Sequence, residues 1–582
     1  MRFLPVPSVE QSLERYLDYV RPLLSDDEFA TTTAAVQEFG AGDGPACQEG
    51  LLADAERANE QGFSWLTEMW LEGYLTVRTS LPLSSNVGFE MTWPSSLRGT
   101  ARAADLAHRF AQVHLQHLRG ETEPTVSPRG EPLCMRQWTY LAGGLRRPEP
   151  GADEIMPGPE EAADREILVM HEGRGFAVKV SDAQGQVLPL ATLIESLDAL
   201  VAHEPDDAPD GIGFSAWSYL GSDLALPHQE AALADPHNDA VHERLTNTLF
   251  ALALVEEKGE LTDVLRHEVF DHGVLWPHKP VTYVVSLNGE HVGMHIEHTI
   301  ADGGTLTAVV ATAQALPEGT PDAGTEDHEA EAASSTAPEQ LIWSLDADAQ
   351  ARLTADIVRY QEAADRMRIQ ILQIPAVRPA AGLKVSHDAA QQFILQYAQL
   401  AAYGEVRSTY EAVDMREFQA GRTETMRPIS SESVEFVTAL LAGEANHAQL
   451  AAAADVHRSR IIRCKTGEGV DRHLLGLRVQ AGRLGRTPAM FEDAGYRRLV
   501  TDFLSTSSLG GTAQIARFAF APTSEGGIGV GYNPLVDEDG TVVEYDFVVN
   551  YRSDRDDDIE KFIAGIRQGA KALGDLVATP AS

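Results

Sequence analysis

The feature that most constrains the fold is a predicted β-hairpin, VTYVVSLNGEHVGMHIEH, at residues 281–298. Val281 to Leu287 and His291 to His298 both have strand-like sequences, and Asn288-Gly289 between them is the dipeptide preferred in two-residue type I′ turns. The pattern therefore predicts two adjacent antiparallel strands, followed at once by the turn-like sequence TIADGG.

Side-chain facing in the second strand singles out one of its histidines. Because strand side chains alternate between faces, His298 shares an apolar face with Met294 and Ile296, whereas His295 and Glu297 point the other way. The two histidines therefore cannot both bind one metal ion from a regular strand, which disfavours a metal site.

His298 remains the candidate for chemistry, since it ends the strand and Asp302 follows in the turn. A buried neutral imidazole whose ring is fixed by a carboxylate is the arrangement of a general base. The alternative is a core histidine whose hydrogen bonds are satisfied by the turn. The hairpin and its turn leave both interpretations open.

The wider chain predicts an α/β fold with several domains. Its 582 residues are too many for one hydrophobic core and fit about two to four domains. Ser8 and Gln11 have the spacing of a helix capping box, and a second helical region follows from Ser64. Helices and strands alternate throughout. Two polar segments, 146–161 and 316–340, have the composition of long surface loops, and a domain boundary is expected near the second.

Composition and charge exclude several classes of function. The net charge of −41 argues against nucleic acid and anionic membrane surfaces, and an anionic ligand would need a local basic patch. No apolar run reaches the length of about eighteen residues that a membrane span needs, and the N-terminal sequence lacks the features of a signal peptide. The three cysteines are far apart and form no CxxC pair. A disulfide framework or a structural zinc site is therefore disfavoured, and a reducing cytoplasm is the predicted setting.

Segments along nearly the whole chain resemble the motifs of one family, in the same order. EHTIADG, at residues 297–303, is similar to the EHxxxDG element of the choline/carnitine acyltransferase family, and TYEAVDMREFQAGRTETMR, from Thr409, is similar to its TYE…GRT(D/E)T motif. Further segments that resemble family motifs are LPVPSVEQSLERYL from Leu4, SWLTEMWLEGYLTVR from Ser64, EPLCMRQWTY from Glu131, LKVSHDAAQQF from Leu383, GVDRHLLGL from Gly469, FLSTSS from Phe503 and GIGVGYNP from Gly527.

The resemblance implies an α/β fold of two chloramphenicol-acetyltransferase-like domains, with mixed sheets flanked by helices and an active-site tunnel at their interface. Residues 1–85 would form a helical segment that packs on this body. Residues 86–345 would form the catalytic domain with His298, and residues 346–582 a C-terminal domain with the CoA- and carnitine-binding motifs.

The resemblance also implies catalytic roles. His298 would be the general base for either the thiol or the hydroxyl, since imidazole titrates near working pH, and Asp302 would hold its tautomer, directly or through backbone contacts. Glu297 is taken as structural. Ser507, the second serine of Ser-Thr-Ser, would stabilise the oxyanion of the tetrahedral intermediate. Without the family, such a Ser/Thr cluster at a strand end is more often a backbone cap.

Three residues match the set that binds the carboxylate of carnitine in one branch of the family, namely Tyr410, Thr423 and Arg472. An arginine supplies a two-pronged, charge-assisted contact, and the hydroxyls complete it. The choline branch lacks this set, so the resemblance favours carnitine. Without the family, Arg472 would equally suit an ion pair with Asp471.

Contacts to CoA and to the acyl group are implied at three further positions. Lys384 matches the family lysine that faces the CoA 3′-phosphate. The second basic residue that the family usually has a few positions earlier is Ala380 here, and Arg378 is the nearest substitute. Phe518, counted back from Pro522, matches the floor of the acyl pocket, where long-chain members have glycine. A phenylalanine there would block a long acyl tail sterically.

The predicted function is reversible transfer of a short acyl group between CoA and the hydroxyl of carnitine, with His298 as the base. CoA would be a co-substrate, with no permanently bound cofactor and no metal. The protein would be a cytoplasmic monomer with small-molecule substrates, without nucleic acid or integral membrane association.

Three alternatives stay open beside that function. The first is transfer to choline or to another small alcohol or amine in secondary metabolism. The second is a catalytically silent, condensation-like binding protein, against which the presence of His298 argues. The third is a carrier-protein-dependent condensation enzyme. That branch has two adjacent histidines, whereas this chain has Glu297 in the first position.

Overall fold

The fold is described from a computed structural model that covers residues 1–202, 212–319, 337–380, 383–537 and 539–579. Helices and strands alternate along the chain, as the sequence predicts. The helices are α1 (Val9–Val20), α2 (Asp26–Ala41), α3 (Gly44–Glu60), α4 (Leu66–Leu75), α5 (Gly99–Leu118), α6 (Arg136–Tyr140), α7 (Leu190–Val201), α8 (Ser222–Leu233), α9 (Pro236–Asn247), α10 (Leu261–Phe270), α11 (Gly303–Ala315), α12 (Ala347–Ala364), α13 (His387–Tyr403), α14 (Ser431–Ala442), α15 (His447–Lys465), α16 (Asp471–Arg483), α17 (Ala494–Val500) and α18 (Asp556–Ala578).

The strands form two large mixed sheets and one small two-stranded sheet. They are β1 (Val87–Met91), β2 (Gly144–Arg147), β3 (Glu154–Pro157), β4 (Glu166–His171), β5 (Arg174–Lys179), β6 (Ala251–Val255), β7 (Val281–Ser286), β8 (Val292–Ile296), β9 (Glu339–Leu341), β10 (Met367–Pro375), β11 (Thr409–Asp414), β12 (Thr423–Met426), β13 (Leu504–Ser507), β14 (Ile515–Phe520), β15 (Ile528–Val536) and β16 (Val542–Arg552).

The first sheet has eight strands in the order β14-β1-β8-β7-β6-β4-β5-β9. Its centre, β4, β6 and β7, is parallel, and the flanking pairs are antiparallel. One face packs on α5, α7 and α11, and the other on α8 to α10 and α12. Because both faces are covered, the central strands are buried on both sides: β6 (ALALV) is apolar throughout, and β7 (VTYVVS) is buried at every position.

The second sheet has six strands in the order β10-β16-β15-β13-β11-β12. The neighbours β11, β13 and β15 are parallel, and the remaining pairs are antiparallel. Helices α13, α14 and α18 cover one of its faces with an apolar core. Two mixed sheets flanked by helices confirm the predicted fold class.

One strand joins the two halves of the chain. Strand β14 lies between two strands of the second sheet in sequence, yet it pairs with β1 at the edge of the first sheet. Its backbone then approaches β15 closely, because β15 has glycine at two facing positions: a Cβ on Gly531 would lie 2.7 Å from the oxygen of Phe518, and one on Gly529 would lie 2.9 Å from the Phe520 ring. The predicted division at residues 345 and 346 therefore does not separate the two sheets completely.

The N-terminal segment is helical, as its sequence predicts. Ser8 is the N-cap of α1 and accepts a hydrogen bond from the backbone N–H of Gln11 at 3.3 Å. The apolar sides of α1 to α3 pack on α16 and α17 through residues such as Tyr16 and Leu474. Helix α4 packs with residues of the loop after β11. The segment thus rests on the helix that carries Arg472.

The predicted hairpin forms with a different turn. Val285 pairs with Val292, a register that leaves Asn288 and Gly289 at the tip. Neither residue has the positive φ that a type I′ turn requires, so that part of the prediction is wrong. Asn288 instead accepts a hydrogen bond from the N–H of Glu257 at 2.7 Å. A Cβ on Gly289 would lie 2.1 Å from the Glu257 carboxylate, so docking on the neighbouring loop determines the turn.

The two predicted surface loops have different outcomes. Segment 146–161 is not wholly a loop, since it contributes to β2 and β3, with Arg146 opposite Ile155. The buried Arg146 binds Asp153 at 2.7 Å, and this charge pairing replaces the apolar alternation that would have revealed the strands. Of segment 316–340, residues 320–336 lie outside the described residues. Within the described ranges, every helix is too short or too polar to cross a membrane.

Candidate active site

His298 lies in the turn between β8 and α11. Its Nδ1 is 2.8 Å from the carbonyl oxygen of Ala301. Because a carbonyl oxygen can only accept, Nδ1 carries the proton in the neutral ring, and Nε2 keeps its lone pair. The side chain is 27% exposed, so the ring is not sealed in the core. The turn therefore provides the tautomer that a general base needs.

Strand alternation does not set the facing of His298, contrary to the sequence prediction. Strand β8 ends at Ile296, so His298 is outside the regular pleat, and the turn orients it. His295 is inside the strand, where it pairs with Gly88 and Thr282. Burial lowers the pKa of His295 to about 3, which keeps it a neutral core group.

Asp302 acts on the turn more than on the ring. Its Oδ1 is 3.7 Å from Nδ1 of His298, which is too long for a hydrogen bond. The carboxylate instead accepts hydrogen bonds from Arg422 at 2.7 and 3.0 Å and from the Gln137 amide at 2.9 Å. Burial would raise the pKa of Asp302, but the Arg422 charge and the hydrogen bonds from Arg422 and Gln137, together with the nearby His298, lower it overall. Asp302 is therefore an ionised anchor for Arg422.

Arg422 holds the turn in place, a role that the sequence motifs did not predict. It donates to the carbonyl oxygen of His298 at 3.0 Å and to that of Thr299. The Trp70 indole N–H donates to the same Thr299 oxygen at 3.1 Å, and the Arg422 guanidinium lies 4.3 Å from the centre of the Trp70 ring. The signal was present, since Arg422 and Gln137 both lie inside the motif segments that resemble the family.

An aromatic wall borders the imidazole. The Tyr74 ring meets the His298 ring edge to face with centroids 5.6 Å apart, and Trp70 stacks on Tyr74 at 5.1 Å. Burial raises the pKa of the Tyr74 hydroxyl, and the nearby Tyr410 adds to this. A neutral phenol beside the base can orient a substrate but does not compete for its proton. Tyr74 is a second site residue whose role the sequence motifs did not predict.

Glu297 is buried under the turn and binds other residues than the aromatic pair. Its Oε1 accepts hydrogen bonds from the Thr299 hydroxyl at 2.5 Å and from Arg146 at 3.2 Å. Arg146 is fully buried and also binds Asp153, so Glu297 belongs to a buried charge network under the turn. These contacts agree with a structural role.

Ser507 ends strand β13 in the second sheet. The middle residue of its motif, Thr506, points to the helix side, where its hydroxyl accepts a hydrogen bond from Gln392 at 3.0 Å. Strand alternation therefore turns Ser507 to the opposite face. The chain after it reaches the His298 turn, because a Cβ on Gly303 would lie 2.5 Å from Cδ2 of Leu509. The serine strand of one sheet thus meets the histidine turn of the other.

The predicted carboxylate-binding residues lie together. Arg472 Nε donates to the carbonyl oxygen of Thr423 at 3.1 Å, and its guanidinium lies 5.2 Å from the centre of the Trp70 ring. Burial raises the pKa of the Tyr410 hydroxyl, while the Arg472 charge and a hydrogen bond with Thr423 oppose it. Trp70 therefore links this set to Tyr74 and His298.

A cavity of about 200 Å³ borders Tyr410 and Arg472. One of its cations, Arg427, is neutralised by Asp471 at 2.7 Å and by Asp502 at 2.5 Å. Among the described residues the Arg472 guanidinium has no ion pair closer than the 4.0 Å contact with Asp471, and Arg478 has no ion pair. The cavity thus presents cationic groups in a chain of strongly negative net charge.

Phe518 lies in β14, where its ring is buried 5.8 Å from the ring of Phe89. A Cβ on Gly531 would lie 3.0 Å from Cε2 of Phe518, and Gly531 pairs directly with Ser507. The Phe518 ring therefore covers strand β15 at the position that pairs with Ser507.

Lys384 and Arg378 are both exposed, on the segment that leads into helix α13. Neither forms an ion pair with the part of the chain that the structure describes. Because neither charge is cancelled, both remain able to bind an anion. No hydrogen bond between described residues joins Lys384 or Arg378 to the His298 turn or to the predicted carboxylate-binding residues.

A family model described as choline/carnitine O-acyltransferase matches residues 4–568. The chain belongs to the choline/carnitine O-acyltransferase family. The resemblance drawn from the sequence motifs is thereby confirmed, and so is the enzyme class, an acyl-CoA-dependent O-acyltransferase. The chemistry that the family shares is transfer of an acyl group between CoA and a hydroxyl.

Relatives of this O-acyltransferase differ in their acceptor. The chain is 27% identical over 576 residues to carnitine O-acetyltransferase of Mus musculus, covering 91% of this chain and 87% of that protein. It is 28% identical over 573 residues to choline O-acetyltransferase of Danio rerio, covering 92% and 87%. Among solved structures, a wax ester synthase/diacylglycerol acyltransferase from Marinobacter aquaeolei is matched with a TM-score of 0.34 and 11% identity over 88% of this chain and 98% of that one. The acceptor of this O-acyltransferase must therefore be argued from its own site residues.

Proposed function

We propose that the protein transfers a short acyl group reversibly between CoA and the hydroxyl of carnitine, with His298 as the general base. The observation that carries the proposal is the connection through Trp70, which packs with Tyr74 beside His298 and with the Arg472 guanidinium. An imidazole base and a cationic anchor on one aromatic wall suit an acceptor that has both a hydroxyl and a carboxylate.

In the proposed reaction, Nε2 of His298 takes the proton of the acceptor hydroxyl as its oxygen attacks the thioester carbonyl. The tetrahedral intermediate carries an oxyanion, and the Ser507 hydroxyl donates a hydrogen bond to it. Collapse of the intermediate breaks the carbon–sulfur bond, and the imidazolium returns its proton to the CoA thiolate. The reverse reaction uses the same base on the thiol.

The acceptor carboxylate is placed on Arg472, with the hydroxyls of Tyr410 and Thr423 beside it. A guanidinium binds a carboxylate through two parallel hydrogen bonds. The guanidinium of Arg472 can still make these bonds, because its Nε binds a backbone carbonyl and its closest ion pair among the described residues is the 4.0 Å contact with Asp471. The CoA 3′-phosphate is assigned to Lys384, with Arg378 as the second cation. The monomeric state and the cytoplasmic location remain predictions from the sequence.

The proposed acceptor is tested by thiol release from acetyl-CoA with carnitine and with choline in separate assays. Release with carnitine well above release with choline is the expected result, because only carnitine has a carboxylate for Arg472. Release with choline alone would overturn the acceptor and keep the mechanism. A protein that binds CoA and releases thiol with neither would refute carnitine as the substrate.

A short acyl group follows from the position of Phe518 beside the serine strand. We expect wild type to prefer acetyl-CoA, and Phe518→Gly to raise the ratio of kcat/KM for palmitoyl-CoA over acetyl-CoA by about tenfold or more, the scale on which pocket shape discriminates. Thiol release with each acyl-CoA and carnitine measures that ratio.

The matched control for this prediction is Phe520→Gly, on the same strand. Phe518 and Phe520 stack at 6.2 Å, so both variants lose a buried ring, but Phe520 covers Gly529, which pairs with Ser505 and not with Ser507. Only Phe518→Gly should change the ratio. Comparable turnover of both acyl-CoAs by wild type would contradict a short pocket.

A further inference from the structure

Helix α16, which carries Arg472 in its first turn, begins without a side-chain cap of its own. Its N-cap residue is Val470, whose side chain accepts no hydrogen bond. The first N–H groups of a helix have no partner inside the helix, and an uncapped start is poorly fixed. The start of α16 therefore needs an acceptor from elsewhere in the fold.

That acceptor is Glu424, on strand β12. Its Oε1 accepts the backbone N–H of Arg472 at 3.1 Å and the N–H of Thr425 at 2.8 Å. The residue before it, Thr423, accepts the Arg472 side chain through its carbonyl oxygen at 3.1 Å. Two consecutive residues of β12 therefore hold both the backbone and the side chain of Arg472.

The chain leaves space for this contact at Gly469. A Cβ there would lie 2.2 Å from Oε2 of Glu424 and 2.3 Å from its Cδ, so any other residue would displace the carboxyl group. Glu424 is only 6% exposed and has no ion-pair partner among the described residues. The buried carboxyl group therefore contacts the helix start through a hydrogen bond to a backbone N–H and not through an ion pair.

We propose that Glu424 is a positioning residue of the acceptor site, which fixes Arg472 by capping helix α16 from the neighbouring strand. This inference rests on the proposed function, since Arg472 matters to turnover only if the acceptor has a carboxylate. It adds a specificity-determining residue that touches neither substrate. Its effect should appear in the affinity for carnitine and not in the chemical step.

The hydrogen-bond acceptor, and not the charge, is what the cap requires. Burial raises the pKa of Glu424 to about 7, while the Arg472 charge opposes the shift. Near neutral pH the group is thus a mixture of ionised and neutral forms, and Oε1 can accept in either form. Glutamine keeps such an oxygen on a side chain of the same shape, whereas alanine removes it.

The test compares Glu424→Ala and Glu424→Gln with wild type, using acetyl-CoA with carnitine and with choline. We expect Glu424→Ala to raise KM for carnitine about tenfold or more, as a displaced anchoring group does, while kcat changes less than about threefold. Glu424→Gln should restore KM for carnitine to within about threefold of wild type. KM for choline should be the same in all three proteins.

The control is Asp346→Ala, which removes the N-cap of α12, a helix outside the site. Asp346 accepts the N–H of Ala349 at 2.7 Å, so its loss imposes a similar capping cost without touching Arg472. It should leave KM for carnitine unchanged. If Glu424→Ala folds and keeps the wild-type KM for carnitine, or if KM for choline rises equally, the inference is wrong while the proposed function stands. If wild type itself does not use carnitine, both the positioning role of Glu424 and the proposed function are wrong.

Discussion

We expect His298→Ala to lower kcat for acetyl transfer to carnitine by about 10³-fold, within the range that loss of a general base produces. The Tyr74 ring packs against the imidazole, but burial raises the pKa of its hydroxyl, so it cannot take over as base. The imidazole makes its strong hydrogen bond to a local carbonyl, that of Ala301, so its removal should cost little stability. Thiol release at saturating substrate measures kcat.

The control for this prediction is another histidine, His272. Its ring is exposed and binds the side chain of Gln361 at 2.7 Å, outside the site. His272→Ala should keep the wild-type kcat, and both variants should keep the wild-type Tm and bind CoA. A folded His298→Ala that retained more than about a tenth of kcat would remove His298 from the role of base.

The sequence predicted correctly those features that depend on residues close together in the chain. The start of α1 follows from Ser8, whose hydroxyl caps the helix within one turn, and no distant residue is needed. The register of the β7–β8 hairpin likewise follows from alternation, with Val285 opposite Val292. The turn at its tip did not follow, because Glu257 binds Asn288, and that contact joins segments that are far apart in the sequence.

In the candidate site, too, the sequence predicted some residues and missed those that depend on distant contacts. Sequence motifs named His298 and Arg472, which lie beside Tyr74 and Trp70, and Asp302, which binds Arg422 under the turn. They did not reveal that Arg422 holds the turn, since its partners come from another part of the chain. Nor does periodicity predict that β14 leaves its sequence neighbours for the first sheet, because strand partners are chosen by packing between distant segments.

We expect Arg472→Ala to lower kcat/KM for carnitine by about 10² to 10³, because truncating one partner of a buried, hydrogen-bonded charge pair costs about 2 to 5 kcal/mol. With choline, which brings no carboxylate, kcat/KM should fall less than about threefold. Arg472→Lys should lie between, since lysine keeps the charge but not the two-pronged contact. Thiol release over a range of each acceptor measures the ratio of the two values.

The matched control is Arg478→Ala, on the same helix and lining the same cavity. Arg478 adds positive charge to the cavity but does not contact Thr423 or Trp70. Its removal therefore tests whether the acceptor is bound by the overall positive charge of the cavity or by a specific contact with Arg472. If the specific contact dominates, Arg478→Ala changes the carnitine-to-choline ratio by less than about threefold. If both variants lose the same factor in kcat/KM for carnitine, carnitine binding depends on the overall positive charge of the cavity and not on a contact with Arg472. Equal losses for both acceptors in Arg472→Ala would mean that Arg472 supports the fold of the site and does not recognise a carboxylate.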